Sequence, residues 1–566
     1  MIQKWFSRRK LTPAARREID PDEIFLDSSN LPRFDTHQFE GRIEKPVERK
    51  IFLFLILVFI LIGFVILGKL TELQVLEGRS FAIRSEGNNL KHTTIFANRG
   101  LIFDRRGTLL AGNAINPDDE FSLRRYAAVS GVAHVLGFLK YPSKDASGVY
   151  YEEKYLGRGG VESRYDEELS GRNGIKITET DAVGEVQSEN LLRPPRDGEN
   201  LTLAIDARVS EKLYSLMGET ARQYGFSGGG AVIADVETGE LLALVSFPEF
   251  ESDVMTQGKD KEHIQKLLNQ KNNPFLNRAV SGLYIPGSTV KPYIAMGVLE
   301  EGIISPEEKI LSTGSISLPN PYDPTKKSVF KDWKAHGWVD LRQALAVSSN
   351  VYFFTVGGGF GDQRGLGIEK IHSYLSSFGF GSPTDVDLEG EEGGLVPSKE
   401  WKEKTFNGDP WRLGDTYNTS IGQYGFQVTP LQQARAMAAI ANGGYLLSLT
   451  ILKREEKTLP DAPKLPFSDE YFKIIREGLR LAVTDGTAAG LSMPGIAVAA
   501  KTGTAELGVS KELVNSWSIG YFPYDNPKYA FAVLMERGSR YNQVGATLVI
   551  RELLEWMYVN TPEYVR

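Results

Sequence analysis

Residues 51–68, IFLFLILVFILIGFVILG, form an unbroken apolar run without one ionisable side chain. At a rise of 1.5 Å per residue, a helix over this run is about long enough to cross the hydrocarbon of a bilayer. A lone span in hydrocarbon must satisfy its backbone groups internally, which leaves the helix as its conformation. The upstream flank carries Arg8, Arg9, Lys10, Arg16, Arg17, Arg49 and Lys50. The positive-inside bias counts Lys and Arg rather than net charge, so residues 1–50 are expected in the cytoplasm and the chain after residue 68 outside. A cleaved signal peptide is the competing reading. A fifty-residue polar leader is too long for one, and Leu73-Gln-Val-Leu-Glu77 offers no small-residue cleavage site. The sequence therefore predicts a single-pass anchor.

The remaining length suffices for two or three domains. Hydrophobic residues make up 41% of the chain and the net charge is −7, which argues against disorder and against a nucleic-acid partner. Cysteine is absent. That excludes a disulfide framework, a thiolate metal site and a lipid-modified cysteine, while leaving an oxidising compartment permissible.

Residues 69–198 are charged, punctuated by glycine and short of long helical patterns, and they close on Pro194-Pro-Arg-Asp-Gly198, which reads as a linker. From Leu201 the pattern changes. Alternation at Leu201, Leu203 and Ile205 suggests a strand, and a helical pattern covers about Val209 to Tyr224. Ala231 to Val245 is two apolar runs about Glu237-Thr-Gly239, a hairpin; Ser516–Phe522 and Tyr529–Met535, joined through Asp525-Asn-Pro527, form another. Helical patterns run over Leu431–Ala441, Ser468–Val483 and Val549–Tyr558. Strands at both ends with helices between predict an α+β domain, an antiparallel sheet packed against a helical cluster.

Three short strings in this domain carry chemistry: Ser288-Thr-Val-Lys291, Ser348-Ser-Asn350 and Lys501-Thr-Gly-Thr504. A serine hydroxyl becomes a nucleophile when a base takes its proton, and an amine of lowered pKa can be that base. Each string alone is weak. Roughly two chance S-x-x-K matches are expected in a chain of this length, and Ser7-Arg-Arg-Lys10 and Ser328-Val-Phe-Lys331 do fit, as Ser28-Ser-Asn30 and Ser188-Glu-Asn190 fit S-x-N. Context selects Ser288. Pro286-Gly287 feeds an apolar helix with Pro292 near its start, which places Ser288 at a helix N-terminus and Lys291 on the same face. Ser7 and Ser28 fall on the other side of the membrane from Lys501, and Ser328 lies in a polar stretch. Lys501 is expected on a strand after Gly495, where Gly503 lets a substrate approach the backbone.

The three strings together match the set found in penicillin-binding proteins and class A β-lactamases. With the anchor and the module before the motif domain, the chain resembles the class B penicillin-binding proteins, monofunctional D,D-transpeptidases of the penicillin-binding/transpeptidase fold. Asn98-Arg-Gly-Leu-Ile-Phe-Asp-Arg-Arg-Gly107 and Gly157-Arg-Gly-Gly-Val-Glu162 resemble the pedestal signatures of that class. Lys331-Asp-Trp-Lys334, Trp411-Arg-Leu-Gly-Asp-Thr416 and Ile421-Gly-Gln-Tyr-Gly-Phe-Gln-Val-Thr-Pro430 are similar to the elongation-type penicillin-binding protein 2 group. The resemblance implies a cytoplasmic tail over 1–50, a transmembrane helix over 51–68, a β-rich pedestal over 69–198 and a transpeptidase domain over 199–566. It implies that Ser288 is acylated by a peptidoglycan stem peptide, that Lys291 is its base, and that Ser348 relays a proton. Asn350 would bind the substrate amide, and Lys501, Thr502 and Thr504 its carboxylate, with Gly503 between them. The N–H groups of Ser288 and Thr504 would form the oxyanion hole. Two cations near one serine would help keep Lys291 neutral. No cofactor or metal is implied. β-Lactams would be covalent inhibitors, the location the inner membrane, and the partner a SEDS-type membrane glycosyltransferase.

Two departures from the family pattern stand out. Gly422-Gln-Tyr424 replaces the common Gly-Gln-Gly, and only about a dozen residues separate Asn113 from Ala127, where relatives carry a longer head insertion. Other strings read as structural. Gly225-Phe-Ser-Gly-Gly229 has the reverse order of elements for a nucleophile elbow. Asp332 and His336, if on one helix face, would be a metal pair without a clear third ligand. Gly357-Gly-Gly-Phe-Gly361 reads as a loop. Two other functions share the strings: a β-lactam-hydrolysing enzyme, which needs a group to activate water, and a non-enzymatic β-lactam sensor or wall scaffold, which needs a signalling segment.

Overall fold

The computed structural model describes residues 49–81, 90–180, 186–320, 323–454, 462–508 and 510–566; the basic flank from Arg8 to Arg17 lies outside them. The described chain falls into two units divided at Leu90. Its described part holds the helix Arg49–Thr71, continued by a π-helical turn over Glu72–Leu76 and a short helical turn over 78–81. The helix Arg49–Thr71 contains the expected span, buries no residue, and is long and apolar enough to cross a membrane.

The second unit, Lys91–Arg566, begins with small sheets. One pairs Leu90–Ile95, Gly174–Thr180 and Val186–Arg193; another orders Leu201–Thr202, Ile102–Phe103, Leu109–Ala114 and Leu123–Tyr126. The short connection after Asn113 is a plain hairpin, with Ala114 opposite Leu123. The two pedestal strings meet in the interior. Arg99 Nε donates to Glu162 Oε2 at 2.6 Å and its Nη2 to Asp166 at 2.8 Å, while Arg124 Nε donates to Glu162 Oε1 at 2.8 Å. Glu162 and both arginines are fully buried, so each charge depends on the others for its solvation.

The proline-rich stretch before residue 200 is not a free linker. Arg196 pairs with Arg172, Gly198 N–H donates to Asn98 O, and Glu199 N–H to Glu168 O. The strand expected from Leu201 to Ile205 is only Leu201–Thr202, because Leu203, Ala204 and Ile205 are all fully buried and turn into the core. Further joints come from carboxylates: Glu249 accepts from Gly131 and Ala133 N–H, and Asp387 from the Tyr165 hydroxyl.

The main sheet has five antiparallel strands: β1 (Gly228–Asp235), β2 (Leu241–Phe247), β3 (Ala499–Leu507), β4 (Leu513–Phe522) and β5 (Tyr529–Ser539), in the order β2-β1-β5-β4-β3. Both expected hairpins are present, and Lys501 lies on edge strand β3. Eight helices matter here: α1 (Ala207–Tyr224), α2 (Lys291–Glu300), α3 (Leu341–Ala346), α4 (Asn350–Gly358), α5 (Leu413–Ser420), α6 (Pro430–Ala441), α7 (Asp469–Asp485) and α8 (Ala546–Asn560). Helices cover both faces of the sheet, so the expected antiparallel sheet and helical cluster are joined by a further helical layer on the other face. Ala231, Ile233, Phe531 and Val533 face α1 and α8, while Val232, Ala234, Ala532 and Leu534 face the cluster containing α2 and α6. Strands apolar on both sides need this third layer. Gly357 and Gly358 end α4 rather than opening a loop, because a Cβ on Gly357 would lie 2.0 Å from Ser420 Oγ of α5.

Candidate active site

Ser288 stands where a tight turn becomes a helix. Pro286 leads into a single 3-10 turn, Gly287–Val290, which passes directly into α2 with Pro292 in its first turn. The turn is clamped from two sides. Gly287 N–H donates to Gly422 O at 2.9 Å, and a Cβ on Gly287 would sit 2.9 Å from Thr504 O of β3. The segment bearing Ser288 therefore abuts the strand bearing Lys501-Thr-Gly-Thr504. Ser288 itself is half-buried.

Lys291 is fully buried at 0% exposure. Its ammonium donates to Ser348 O at 2.8 Å, Ser348 Oγ at 3.3 Å and Asn350 Oδ1 at 2.8 Å, with the Phe353 ring 5.4 Å away. Burial drives the Lys291 amine down from its ordinary 10.5 to about 7, against the opposing pull of Asp332. Lys501 is equally buried; burial, and after it the Lys291 charge, holds its amine well below the ordinary value. For Lys291 the lowering cause is desolvation; the repulsion expected between the two cations acts on Lys501, where it comes second to burial.

Ser348 sits in the turn between α3 and α4 with φ of 58°, a left-handed conformation unusual for a residue with a Cβ. The turn exists because Ser349 caps α4, its hydroxyl accepting from Tyr352 N–H at 3.2 Å. Asn350 then opens the helix, with Oδ1 on Lys291 and Nδ2 donating to Lys331 O at 3.3 Å.

On β3, Lys501 Nζ donates to Thr502 O at 3.0 Å and Thr502 Oγ1 to Thr487 Oγ1 at 2.8 Å, while Thr504 is exposed. Gly503 also has a structural duty beside the one expected. A Cβ there would meet Thr289 Cγ2 at 2.7 Å, Pro286 O at 2.9 Å and Trp517 Cβ at 3.2 Å, so the close neighbour is the Ser288 turn itself.

Asp332 and His336 do not share a helix. Asp332 follows the strand Asp323–Lys331 and His336 precedes Gly337–Val339, their side chains 3.5 Å apart and buried. The Asp332 carboxylate is engaged by Val351 N–H at 2.9 Å and the Ser349 and Ser312 hydroxyls at 2.8 and 3.2 Å. Among the described residues no group of three or more His, Asp or Glu side chains could hold a metal. Sequence reasoning passed over Ser349 and Ser312. A serine directly before an apolar helix was a legible cap signal for Ser349; nothing local marked Ser312.

Tyr424, at the departure from Gly-Gln-Gly, has φ of 65°, which is why glycine suits that position. Its ring is held by Trp401 and Trp411 edge-on at 5.8 and 5.7 Å and by Phe406 stacked at 6.3 Å. Clefts of about 700 and 460 Å³ lie elsewhere and are lined by none of these residues.

Residues 229–555 match the penicillin binding protein transpeptidase domain and residues 115–203 the penicillin-binding protein dimerisation domain. The peptidoglycan D,D-transpeptidase MrdA of Salmonella typhimurium is 30% identical over 474 residues, covering 77% of this chain and 72% of the relative. The MrdA protein of Haemophilus influenzae is 28% identical, over 94% of this chain and 95% of its own length. The Helicobacter pylori penicillin-binding protein PBP2, solved in complex with MreC, superimposes with a TM-score of 0.69 at 27% identity, over 83% of this chain and 99% of that one. Pseudomonas aeruginosa PBP2, solved with WCK 5153, gives 0.69 at 27% identity over 84% and 98%. With the transpeptidase match spanning more than half the chain and the three strings drawn into one site, the chain belongs to the penicillin-binding protein family, as a class B member of the elongation type.

Proposed function

We propose that this chain is a peptidoglycan D,D-transpeptidase that cross-links stem peptides through a Ser288 acyl-enzyme during cell elongation. The observation that carries the reading is the buried Lys291 amine, brought to about 7 by desolvation and bonded to Ser348 and Asn350 one turn from Ser288. The relatives named above support the substrate class.

In the first half-reaction Lys291, neutral, takes the Ser288 proton as Oγ attacks the carbonyl of the penultimate D-alanine. The carbonyl oxygen becomes the oxyanion, and the N–H groups of Ser288 and Thr504 are suited to receive it because their segments abut. Collapse breaks the peptide bond; the proton passes from Lys291 through Ser348 to the departing D-alanine nitrogen. Asn350 binds the peptide amide, and Lys501, Thr502 and Thr504 hold the terminal carboxylate. In the second half-reaction an amine of a neighbouring stem peptide attacks the ester, gives up its proton along the same relay, and frees Ser288. A β-lactam follows the first half and stops there. The hydrolase reading would put water in place of the amine on the same relay, and a sensor would keep Ser288 without forming cross-links.

The helix at 49–71 anchors the protein, with residues 1–50 cytoplasmic and the catalytic unit on the outer side of the inner membrane, a topology supported by the Lys and Arg of the flank. The division into a pedestal over 69–198 and a transpeptidase domain over 199–566 is supported by the two domain matches. A membrane glycosyltransferase of the SEDS type is the partner, supported by likeness, at TM-score 0.69 and 27% identity, to a chain from a peptidoglycan synthase complex that coordinates polymerisation and crosslinking.

Labelling the detergent-solubilised chain with a fluorescent penicillin tests the reading. A stable adduct lost in Ser288→Ala is expected, and purified protein should link stem peptides. No adduct refutes an acylating Ser288, an adduct released within seconds favours the hydrolase, and a stable adduct without cross-linking favours the sensor. Depletion giving filaments instead of round cells would refute the elongation role.

A further inference from the structure

We propose that Asp332 is a positioning residue of this site, a buried carboxylate that locks the Ser348–Asn350 turn in place and so aims the Ser348 hydroxyl and the Asn350 amide at Lys291. The proposal rests on the acyl-transfer reading of Ser288.

Asp332 joins three separate stretches of chain. Oδ2 accepts from Val351 N–H at 2.9 Å, from Ser349 Oγ at 2.8 Å and from Ser312 Oγ at 3.2 Å; Oδ1 accepts from Trp333 N–H at 2.9 Å. Val351 lies in the first turn of α4, where N–H groups lack helical partners and a negative charge is favoured. Ser349 uses its one hydroxyl twice, capping Tyr352 N–H and donating to Asp332, so the cap and the carboxylate are a single network. Ser312 Oγ reaches Ser349 Oγ at 3.2 Å and closes a triangle. The side chain of Asp332 is fully buried.

This bracing has a specific object. Ser348 holds a left-handed backbone at φ 58°, a conformation that persists only where its surroundings over-determine it. It is flanked by Ser349, which Asp332 holds directly, and it presents both its carbonyl and its hydroxyl to Lys291. Asn350, next in line, is tied through Nδ2 to the carbonyl of Lys331, the residue before Asp332. Nothing in the network touches Ser288, so its effect on chemistry passes through the turn.

The charge of Asp332 has a separable effect. Lys291 is the charge that acts on Asp332; His336 faces the carboxylate, Lys501 feels the Lys291 charge, and Lys334 acts on His336. Asp332 raises the Lys291 amine against burial, and is itself pushed up by burial but held below its ordinary value by the Val351, Asn350 and Ser349 hydrogen bonds and by Lys291. His336, 3.5 Å away, is lowered mainly by burial and stays neutral at pH 7.

The test is the rate of acylation by a fluorescent penicillin between pH 5 and 9 on the full-length protein, for wild type, Asp332→Asn and Asp332→Ala, with thermal unfolding in parallel. Asn keeps an acceptor toward Val351, Ser349 and Ser312 but sets its NH2 against the Trp333 N–H, so the bonds to the turn survive while the charge and the Trp333 bond go. Asp332→Asn should lose no more than about tenfold at high pH, while its acid limb moves to lower pH because the amine loses a favourable neighbour. Asp332→Ala should lose on the order of a hundredfold at every pH, as a turn displaced by about 1 Å would. Wild-type rates and an unmoved acid limb in both variants overturn the proposal, and so does a loss that tracks unfolding with the limb unmoved. If the alanine variant does not fold, Ser349→Ala, which cuts the carboxylate's bond to the turn and leaves its charge, takes its place: a loss of about tenfold or more is expected, and a wild-type rate overturns the proposal. A wild type that is never labelled overturns the Ser288 reading first, a result distinct from a labelled wild type with indifferent variants.

Discussion

Gly503→Ala offers a direct measure of how tightly the Ser288 turn is set. A new Cβ would lie 2.7 Å from Thr289 Cγ2, 2.9 Å from Pro286 O and 3.2 Å from Trp517 Cβ. Carbon atoms rest at about 3.5–4.0 Å, so the first contact is short by roughly 1 Å. Thr289 cannot swing aside freely: its hydroxyl donates to Pro286 O at 3.0 Å and accepts from Gln433 Nε2 at 2.8 Å. Pro286 O is backbone of the turn itself. The strain must be taken by moving the turn or β3, and β3 is tied along its length to β4, with Gly503 opposite Trp517. Overpacking of this kind costs about 1–3 kcal/mol of stability, and a nucleophile displaced by about 1 Å loses on the order of a hundredfold in rate. The assay is the second-order rate of penicillin acylation with the unfolding temperature measured alongside. Thr289→Ser removes Cγ2 and keeps both hydrogen bonds, so the double variant should recover part of the lost rate; the coupling of the two changes is read from a double-mutant cycle. A Gly503→Ala protein that acylates at the wild-type rate with unchanged stability would refute the close-approach argument.

Other perturbations test other joints of the molecule. Acylation should fall as pH drops below about 7, where Lys291 gains its proton, and hold above it. Stability carries the matching signature: the folded amine titrates near 7 and the unfolded one near 10.5, so the unfolded chain binds more protons in that window and stability rises with pH across it. Lys291→Met should flatten that slope in denaturant titrations; an unchanged slope refutes the assignment. Ser348→Ala should slow acylation by about 10²–10⁴-fold if the hydroxyl relays a proton, and Ser348→Gly, which accepts the backbone conformation freely, should be no faster if the hydroxyl rather than the strain matters. Arg99→Ala leaves Glu162 with Arg124 as its remaining charge partner and should cost about 3–5 kcal/mol in thermal or denaturant unfolding. Tyr424→Gly relieves a strained φ worth about 1–3 kcal/mol but gives up an aromatic side chain whose burial is worth about 1.5–3 kcal/mol, so a net change within about 2 kcal/mol is expected; a larger stabilisation would show that the ring contributes nothing.

The chemistry was legible in the sequence because its parts are local. Ser288 and Lys291 are one helical turn apart, and the Pro-Gly signal before an apolar run fixed which S-x-x-K would sit at a helix start. The apolar run fixed the anchor, and the two hairpins fixed four of the five strands. What failed locally failed for tertiary reasons. Leu201–Ile205 alternates as a strand does, yet Ala204 is as buried as its neighbours because the segment dives between the pedestal and the sheet. Pro194–Gly198 has linker composition, yet its backbone is paired to the pedestal. Gly357 looks like a loop residue because sequence does not show that Ser420 will press against it.

What the sequence by itself determined is the inventory: a membrane-spanning length of apolar chain, a serine with an amine on its face, a second lysine on a strand, and turn residues to separate them. Only the tertiary structure decided what those groups are. It buried Lys291 and Lys501 completely, and desolvation, a property of the packed interior and not of the residue, brought the Lys291 amine from its ordinary 10.5 to about 7, where the proposed role as a base needs it. It also gave Asp332, which the sequence offered only as half of a metal pair, the place from which a single carboxylate holds the Ser348–Asn350 turn. Hydrogen bonds between segments far apart in the chain have no sequence periodicity to announce them; they exist only once the sheet and its helices have brought the segments together.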